Sequence, residues 1–190
     1  MVSARLPKRL SVEDYLKLEE GSATRNEFVS GVIYAMAGGS ADHSTVCTNL
    51  VALLHQALDG KGCRPHGSDL RVYVEAADLG TYPDVAVYCG PMQFWKGRKD
   101  VAINPTVIFE VLSPSTLAFD RGEKFEAYKM LPSLRSYVLV SSEQVVAEVF
   151  TRQTGDLWAP SMVHGRDAVL TLQEPAIALP LGRVYDGVSF

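Results

Sequence analysis

The chain has 190 residues, 47% of them hydrophobic and 21% charged, with a formal net charge of −4. That balance is typical of a globular chain and excludes disordered, collagen-like and low-complexity classes. Eighteen Lys and Arg against 22 Asp and Glu also exclude a strongly basic surface that coats phosphate backbones, although an acidic protein can still hold nucleic acid in one local cleft.

The opening MVSARLPKRL has basic residues but no apolar stretch behind it, and the uncharged run 28–41 is short and holds three glycines. Neither a signal peptide nor a membrane span is expected. Cys47, Cys63 and Cys89 are odd in number and form no CxxC pair, so neither a disulfide framework nor a thiolate zinc site is expected, and a reducing, cytoplasmic location fits. With no internal repeat and no Pro/Gly/Ser-rich linker, residues 1–190 read as a single domain.

In chain order, Ser11 with Asp14 predicts a capping box opening a helix over 12–20. Residues 25–34 form two β-rich pieces around Ser30-Gly31, a hairpin pattern. From Ser40 to Leu58 the apolar Val46, Leu50, Leu53, Leu54, Ala57 and Leu58 recur at helical spacing, and Asp59-Gly60-Lys61-Gly62 ends the run. Leu70, Val72 and Val74 alternate with polar residues as in a strand, before a turn at Asp78-Leu79-Gly80. Residues 85–89 and 106–112 are near-continuous apolar runs, expected as strands covered on both faces. Between them, 90–105 is long for a hairpin loop and carries Lys96, Arg98 and Lys99 beside Phe94 and Trp95. Asp120 and Glu123 open a helix to about Met130, and residues 136–140 and 145–151 add two strands before a β-rich tail. This order predicts an α/β fold with a mixed central sheet.

Several residues break the local pattern. Glu110 lies inside Val107-Ile108-Phe109-Glu110-Val111-Leu112, where an unpaired buried carboxylate costs several kcal/mol. It must bind a cation, pair with Lys or Arg, hold a proton, or reach solvent at a strand end. Asp84 follows Tyr82-Pro83 and leads into a strand, as a turn residue or a ligand. If the two strands are neighbours, both carboxylates reach one cleft and offer the hard oxygens that Mg²⁺ or Mn²⁺ prefers. Lys124 shares the inward face of its helix with Tyr128 and Leu131, either snorkelling from the core edge or facing something anionic. Glu27 reads as an exposed hairpin acid paired with Arg25, and Asp69 as a strand-opening cap. Ser113-Pro114-Ser115-Thr116 reads as a strand-to-helix turn rather than a nucleophile. His43 starts a helix after two glycines, without a phosphate-binding loop pattern around it, and Cys47 is expected to pack.

Arg25-Asn26-Glu27-Phe28-Val29-Ser30-Gly31, Tyr82-Pro83-Asp84-Val85-Ala86-Val87 and Phe109-Glu110-Val111-Leu112-Ser113-Pro114-Ser115-Thr116, followed by Asp120 through Lys124 and Tyr128, resemble the Uma-type family of putative restriction endonucleases, within the PD-(D/E)xK nuclease superfamily. The resemblance spans about residues 10 to 187. It implies a restriction-endonuclease-like core, a mixed central sheet flanked by helices, with an N-terminal helix and hairpin. It further implies that Asp84 and Glu110 ligate Mg²⁺, with Mn²⁺ as substitute, that a lysine assists, and that the chain hydrolyses phosphodiester bonds in DNA. In the superfamily the lysine stands two residues after the second acid. Leu112 occupies that position here, and the family match moves the role to Lys124. Glu27, His43 and Asp69 also fall on positions typical of the family. A homodimer fits double-strand cleavage, and the 94–99 loop reads equally as a source of phosphate attraction or base stacking and as an ordinary solvated loop. An attenuated nucleic-acid-binding or assembly module on the same fold is the alternative that Leu112 and the acidic balance motivate. Metal-independent glycoside hydrolysis is a third class that paired acids could serve.

Overall fold

The computed structural model of the chain describes residues 9–36, 38–114 and 116–190. Helix α1 (Val12–Glu20) opens on the expected capping box: Asp14 N donates to Ser11 Oγ at 3.1 Å, and the Asp14 carboxylate accepts from Ser11 N at 3.3 Å. Strands β1 (Asn26–Val29) and β2 (Val32–Ala35) form the expected hairpin. Its turn residues Ser30 and Gly31 both have positive φ, the backbone twist that suits a two-residue hairpin. A Cβ on Gly31 would also come within 2.6 Å of the Arg9 side chain.

Helix α2 (Ala41–Ala57) follows, capped by the Ser40 hydroxyl, then β3 (Cys63–Gly67), β4 (Arg71–Val74), β5 (Leu79–Thr81), β6 (Val85–Cys89), β7 (Val101–Ala102) and β8 (Val107–Leu112). Helices α3 (Leu117–Arg121) and α4 (Glu123–Tyr128) precede β9 (Ser136–Ser141), β10 (Val146–Arg152), β11 (Trp158–His164), β12 (Val169–Gln173), β13 (Ala176–Pro180) and α5 (Leu181–Val184).

Three sheets result. The largest has the order β11-β10-β9-β8-β6-β3, antiparallel except for the parallel β8–β9 pair. A second, β2-β1-β5-β4-β7, incorporates the hairpin, and β12 and β13 form a ribbon. The expected mixed sheet is therefore present, with the two apolar runs as adjacent inner strands. Strand β8 sorts its side chains by parity. Val107, Phe109 and Val111 pack with Val46, Leu50 and Leu54 of α2 and with the β12–β13 ribbon. Ile108 and Leu112 pack with Phe125 and Tyr128 of α4 and with Val72, Val74 and Leu79 of the second sheet. Each such side chain, fully buried, contributes about 1.5–3 kcal/mol. Glu110 shares the parity of Ile108 and Leu112 and is directed to the α4 side. A third cluster joins α1 to the second sheet through Tyr15, Phe28, Tyr73 and Trp95.

The structure corrects the sequence reading at several points. Residues 63–67 form an unanticipated strand, and Leu79 and Gly80, read as part of the turn at Asp78, belong to β5. One flank of the central sheet carries a second sheet as well as helix. The helix expected from Asp120 to about Met130 is broken at Gly122, whose φ of −105° and ψ of −105° are not helical, and a Cβ there would stand 2.9 Å from the Ala118 carbonyl oxygen. The expectation of no disulfide is also overturned. Cys63 and Cys89 are register partners across β3 and β6 and are joined by a disulfide, a pairing visible only once β3 exists. Among the described residues no helix is long and apolar enough to cross a membrane.

Candidate active site

The β6–β8 register pairs Val85 with Phe109, so one step further along the ladder Asp84 stands opposite Glu110, on one face of the sheet. Each carboxylate is tied to the other strand's backbone. Asp84 Oδ2 accepts from Val111 N at 2.7 Å, and Glu110 Oε2 accepts from Asp84 N at 3.3 Å. The approach to Asp84 is fixed by Tyr82, whose hydroxyl donates to Glu19 Oε2 at 2.6 Å and accepts from Arg71 Nε at 3.0 Å. Arg71 is itself buried and ion-paired to Glu19 and Asp100, so α1, β4 and the start of β6 are locked together.

From the other side, α4 delivers Lys124 and, one turn later, Tyr128. Lys124 Nζ lies 3.0 Å from Glu110 Oε1, 3.0 Å from Glu27 Oε1 and 3.2 Å from Asp120 Oδ1. The Tyr128 hydroxyl donates to Glu110 Oε1 at 2.9 Å, and Thr81 donates to Glu27. Glu110, Asp120 and Lys124 are each at most 5% exposed. Burial pushes the Glu110 carboxyl up to about 8, opposed by Lys124 and reinforced by the negative charge of Asp84 and Asp120. Burial works against the Lys124 ammonium, but Glu110, Tyr128, Glu27 and Asp120 outweigh it and hold the group charged.

His43, on the first turn of α2, places Nε2 at 3.4 Å from Asp84 Oδ2 and Nδ1 at 3.6 Å from Cys47 Sγ. The Asp84 carboxylate lifts its pKa above the ordinary 6.5 against the opposing effect of burial. Glu27, His43, Asp84, Glu110, Asp120 and Lys124 line a cleft of about 580 Å³ that also takes in Asp42 and Glu143.

Of the residues singled out in the sequence, Asp84, Glu110, Lys124, Glu27, His43 and Tyr128 are thus brought together. The bland reading of Glu27 is corrected: it points inward to Lys124, and Arg25 pairs with Asp69 instead. Asp69 is therefore an exposed ion-pair partner outside the cluster. Two of the three cations of the 94–99 loop are already paired, and the third, Lys99, is exposed. Lys96 pairs with Glu13, Arg98 pairs with Glu20 and Asp100, and Trp95 is buried against Tyr73. Thr116 N donates to Ser113 O at 3.2 Å, as a strand-to-helix turn requires, while Ser115 lies outside the described residues. Asp120 was legible only as a helix opener. Its spacing of four from Lys124, on the same inward face, was the available signal. The Arg71–Tyr82–Glu19 lock had no sequence signal, because its members come from three separate elements.

The donor set fits a hard divalent cation. Four carboxylates face one ammonium and one imidazole, two of the carboxylates stand opposite each other on neighbouring strands, and oxygen donors of this kind suit Mg²⁺ or Mn²⁺. Leu112, where the superfamily has its lysine, is buried on the same face of β8, and Lys124 reaches Glu110 from the helix opposite.

A mixed sheet with two carboxylates on adjacent inner strands and a lysine beside them defines the restriction-endonuclease-like class of α/β proteins. The fold matches the crystal structure of a putative nuclease belonging to DUF820 from Anabaena variabilis, with a TM-score of 0.76 over 93% of this chain and 98% of that one, at 17% identity. Residues 12–181 match the Uma2 family, described as putative restriction endonucleases, and the chain belongs to that family. Two uncharacterised Synechocystis proteins are similar over nearly their whole length. One, slr1290, is 37% identical over 99% of this chain and 97% of its own, and the other, sll1609, is 30% identical over 88% and 95%.

Proposed function

We propose that this chain is a Mg²⁺-dependent endonuclease that hydrolyses phosphodiester bonds in DNA, with Asp84 and Glu110 holding the ion and Lys124 and Glu27 completing the site. The observation that carries this reading is the opposition of Asp84 and Glu110 across β6 and β8 with Lys124 Nζ 3.0 Å from Glu110. The ion, when bound, supplies Lewis acidity to a water and to the phosphate oxygens. The chain's own residues do the rest. Val111 N and Tyr128 hold the two carboxylates in fixed orientation. Lys124, held by Glu27 and Asp120, offsets negative charge as it grows on phosphate oxygens in the transition state. A homodimer would present two such sites to the two strands of a duplex.

Incubation of supercoiled plasmid with Mg²⁺ or Mn²⁺ tests the proposal. Wild type should nick or linearise it, and Asp84→Asn, Glu110→Gln and Lys124→Met should each lower the rate by at least about 100-fold. Absence of plasmid cleavage by folded wild type with either ion contradicts it.

A further inference from the structure

Cys47 takes no part in the site just described, yet it stands against it. His43 and Cys47 are four residues apart on α2, so one face of the helix presents an imidazole and a thiol together. Asp84 meets both from the start of β6. One ligand atom from each of the three residues can be chosen so that all lie within 4.8 Å of one another. Cys47 Sγ lies 3.6 Å from His43 Nδ1, which matches the roughly 3.3–3.8 Å between two ligands of a tetrahedral zinc ion with bonds of about 2.0–2.3 Å, while Asp84 Oδ2 lies 3.4 Å from the other ring nitrogen, Nε2. Sulfur and imidazole are the softer donors that favour Zn²⁺-class ions over Mg²⁺. Cys47 lines a surface groove with Asp84, and His43 lines the cleft on the other side of the same carboxylate, so an ion and its water have a path from solvent.

We propose that His43, Cys47 and Asp84 form a second, soft-metal site that takes one Zn²⁺-class ion, with water in the fourth position. His43 binds through one ring nitrogen, and the Cys47 thiol loses its proton to solvent as the sulfur–metal bond forms. Because Asp84 serves this ion, it is withdrawn from the hard-metal pair with Glu110, and Zn²⁺ therefore inhibits Mg²⁺-dependent cleavage. That consequence rests on the proposed nuclease activity, whereas the ion site itself does not.

Co²⁺ is the probe, added to the full chain under non-reducing conditions, where Cys63 and Cys89 are bridged and Cys47 is the free thiol. The expected result is one Co²⁺ per chain with near-ultraviolet thiolate-to-cobalt absorption that Zn²⁺ displaces. The band should be lost in Cys47→Ser and retained in Glu110→Gln, and the affinity should fall at least about tenfold in His43→Gln. A direct readout in wild type, protection of Cys47 from iodoacetamide by Zn²⁺, serves if Cys47→Ser does not fold. Absence of the band, its survival in folded Cys47→Ser, or an alkylation rate unchanged by saturating Zn²⁺ overturns the site. A chain that cleaves no nucleic acid yet shows the Cys47-dependent band leaves this inference standing. Loss of the band alongside intact Mn²⁺-dependent cleavage removes this inference alone.

Discussion

The ammonium of Lys124 sits within 3.2 Å of three carboxylates in a place water scarcely reaches, so its removal leaves buried negative charge without a counter-ion. Lys124→Met is expected to cost about 3–5 kcal/mol, read from urea denaturation of the metal-free chain. Glu110→Gln should behave differently. Lys124 keeps Glu27 and Asp120 when Glu110 loses its charge, so the metal-free variant should be destabilised less than Lys124→Met by the same measurement. A third residue carries a pH dependence of its own. His66 is half buried against the Tyr88 ring, and burial lowers its pKa below 6.5. The unfolded chain therefore takes up this proton first as the pH falls, and the folded chain loses the corresponding stability through 6.5 and below. His66→Gln should flatten the acid side of a plot of stability against pH relative to wild type, and an unchanged slope contradicts the assignment.

Glu110 and Lys124 were legible as residues because each violates the pattern around it, an acid in an apolar run and a lysine on an inward helix face. Glu27 was not. Its neighbour Arg25 offered an easy exposed partner, and only the approach of α4 to the hairpin shows which way the carboxylate points.

Among the elements, the adjacent strands β6 and β8 were readable from continuous apolar runs, and α2 from its spacing. Strand β3 was hidden because Cys63-Arg64-Pro65-His66-Gly67 has neither alternation nor β-branched residues. It is a strand because β6 supplies a partner, and it tolerates Pro65 because it lies at the edge of the sheet. Its pairing is reinforced by the Cys63–Cys89 bridge, which closes 26 residues of chain. Reduction, or replacement of both cysteines by serine, should cost about 2–4 kcal/mol in urea denaturation. The break between α3 and α4 matters more directly to the site. Gly122 permits the chain to turn past the Ala118 carbonyl, and the turn aims Lys124 at Glu110. Gly122→Ala forces a 2.9 Å contact with backbone, so a loss of about 1–3 kcal/mol is expected, together with a fall in cleavage rate greater than the stability loss accounts for. Wild-type cleavage in a folded Gly122→Ala chain contradicts this account of the break.

At the scale of the whole molecule, the net charge of −4 and a cleft lined by more acids than cations oppose a polyanion. The Mg²⁺-dependent reading therefore requires a divalent ion for duplex retention as well as for chemistry. Gel shifts in EDTA should show no retained duplex even at low salt, and retention should appear on adding the ion. The acidic balance was visible in the composition, but its local meaning was not, because Lys96 and Arg98 looked available until α1 was seen to pair with them.

Calorimetric titration of Mn²⁺ into wild type, Asp84→Asn and Glu110→Gln, with and without duplex DNA, reaches the central claim without depending on a recognition sequence. The account predicts saturable binding to wild type that is lost in both variants while their circular dichroism is unchanged. Binding that persists in both variants, or none to wild type even with DNA present, would contradict the assignment of Asp84 and Glu110 as a metal-binding pair.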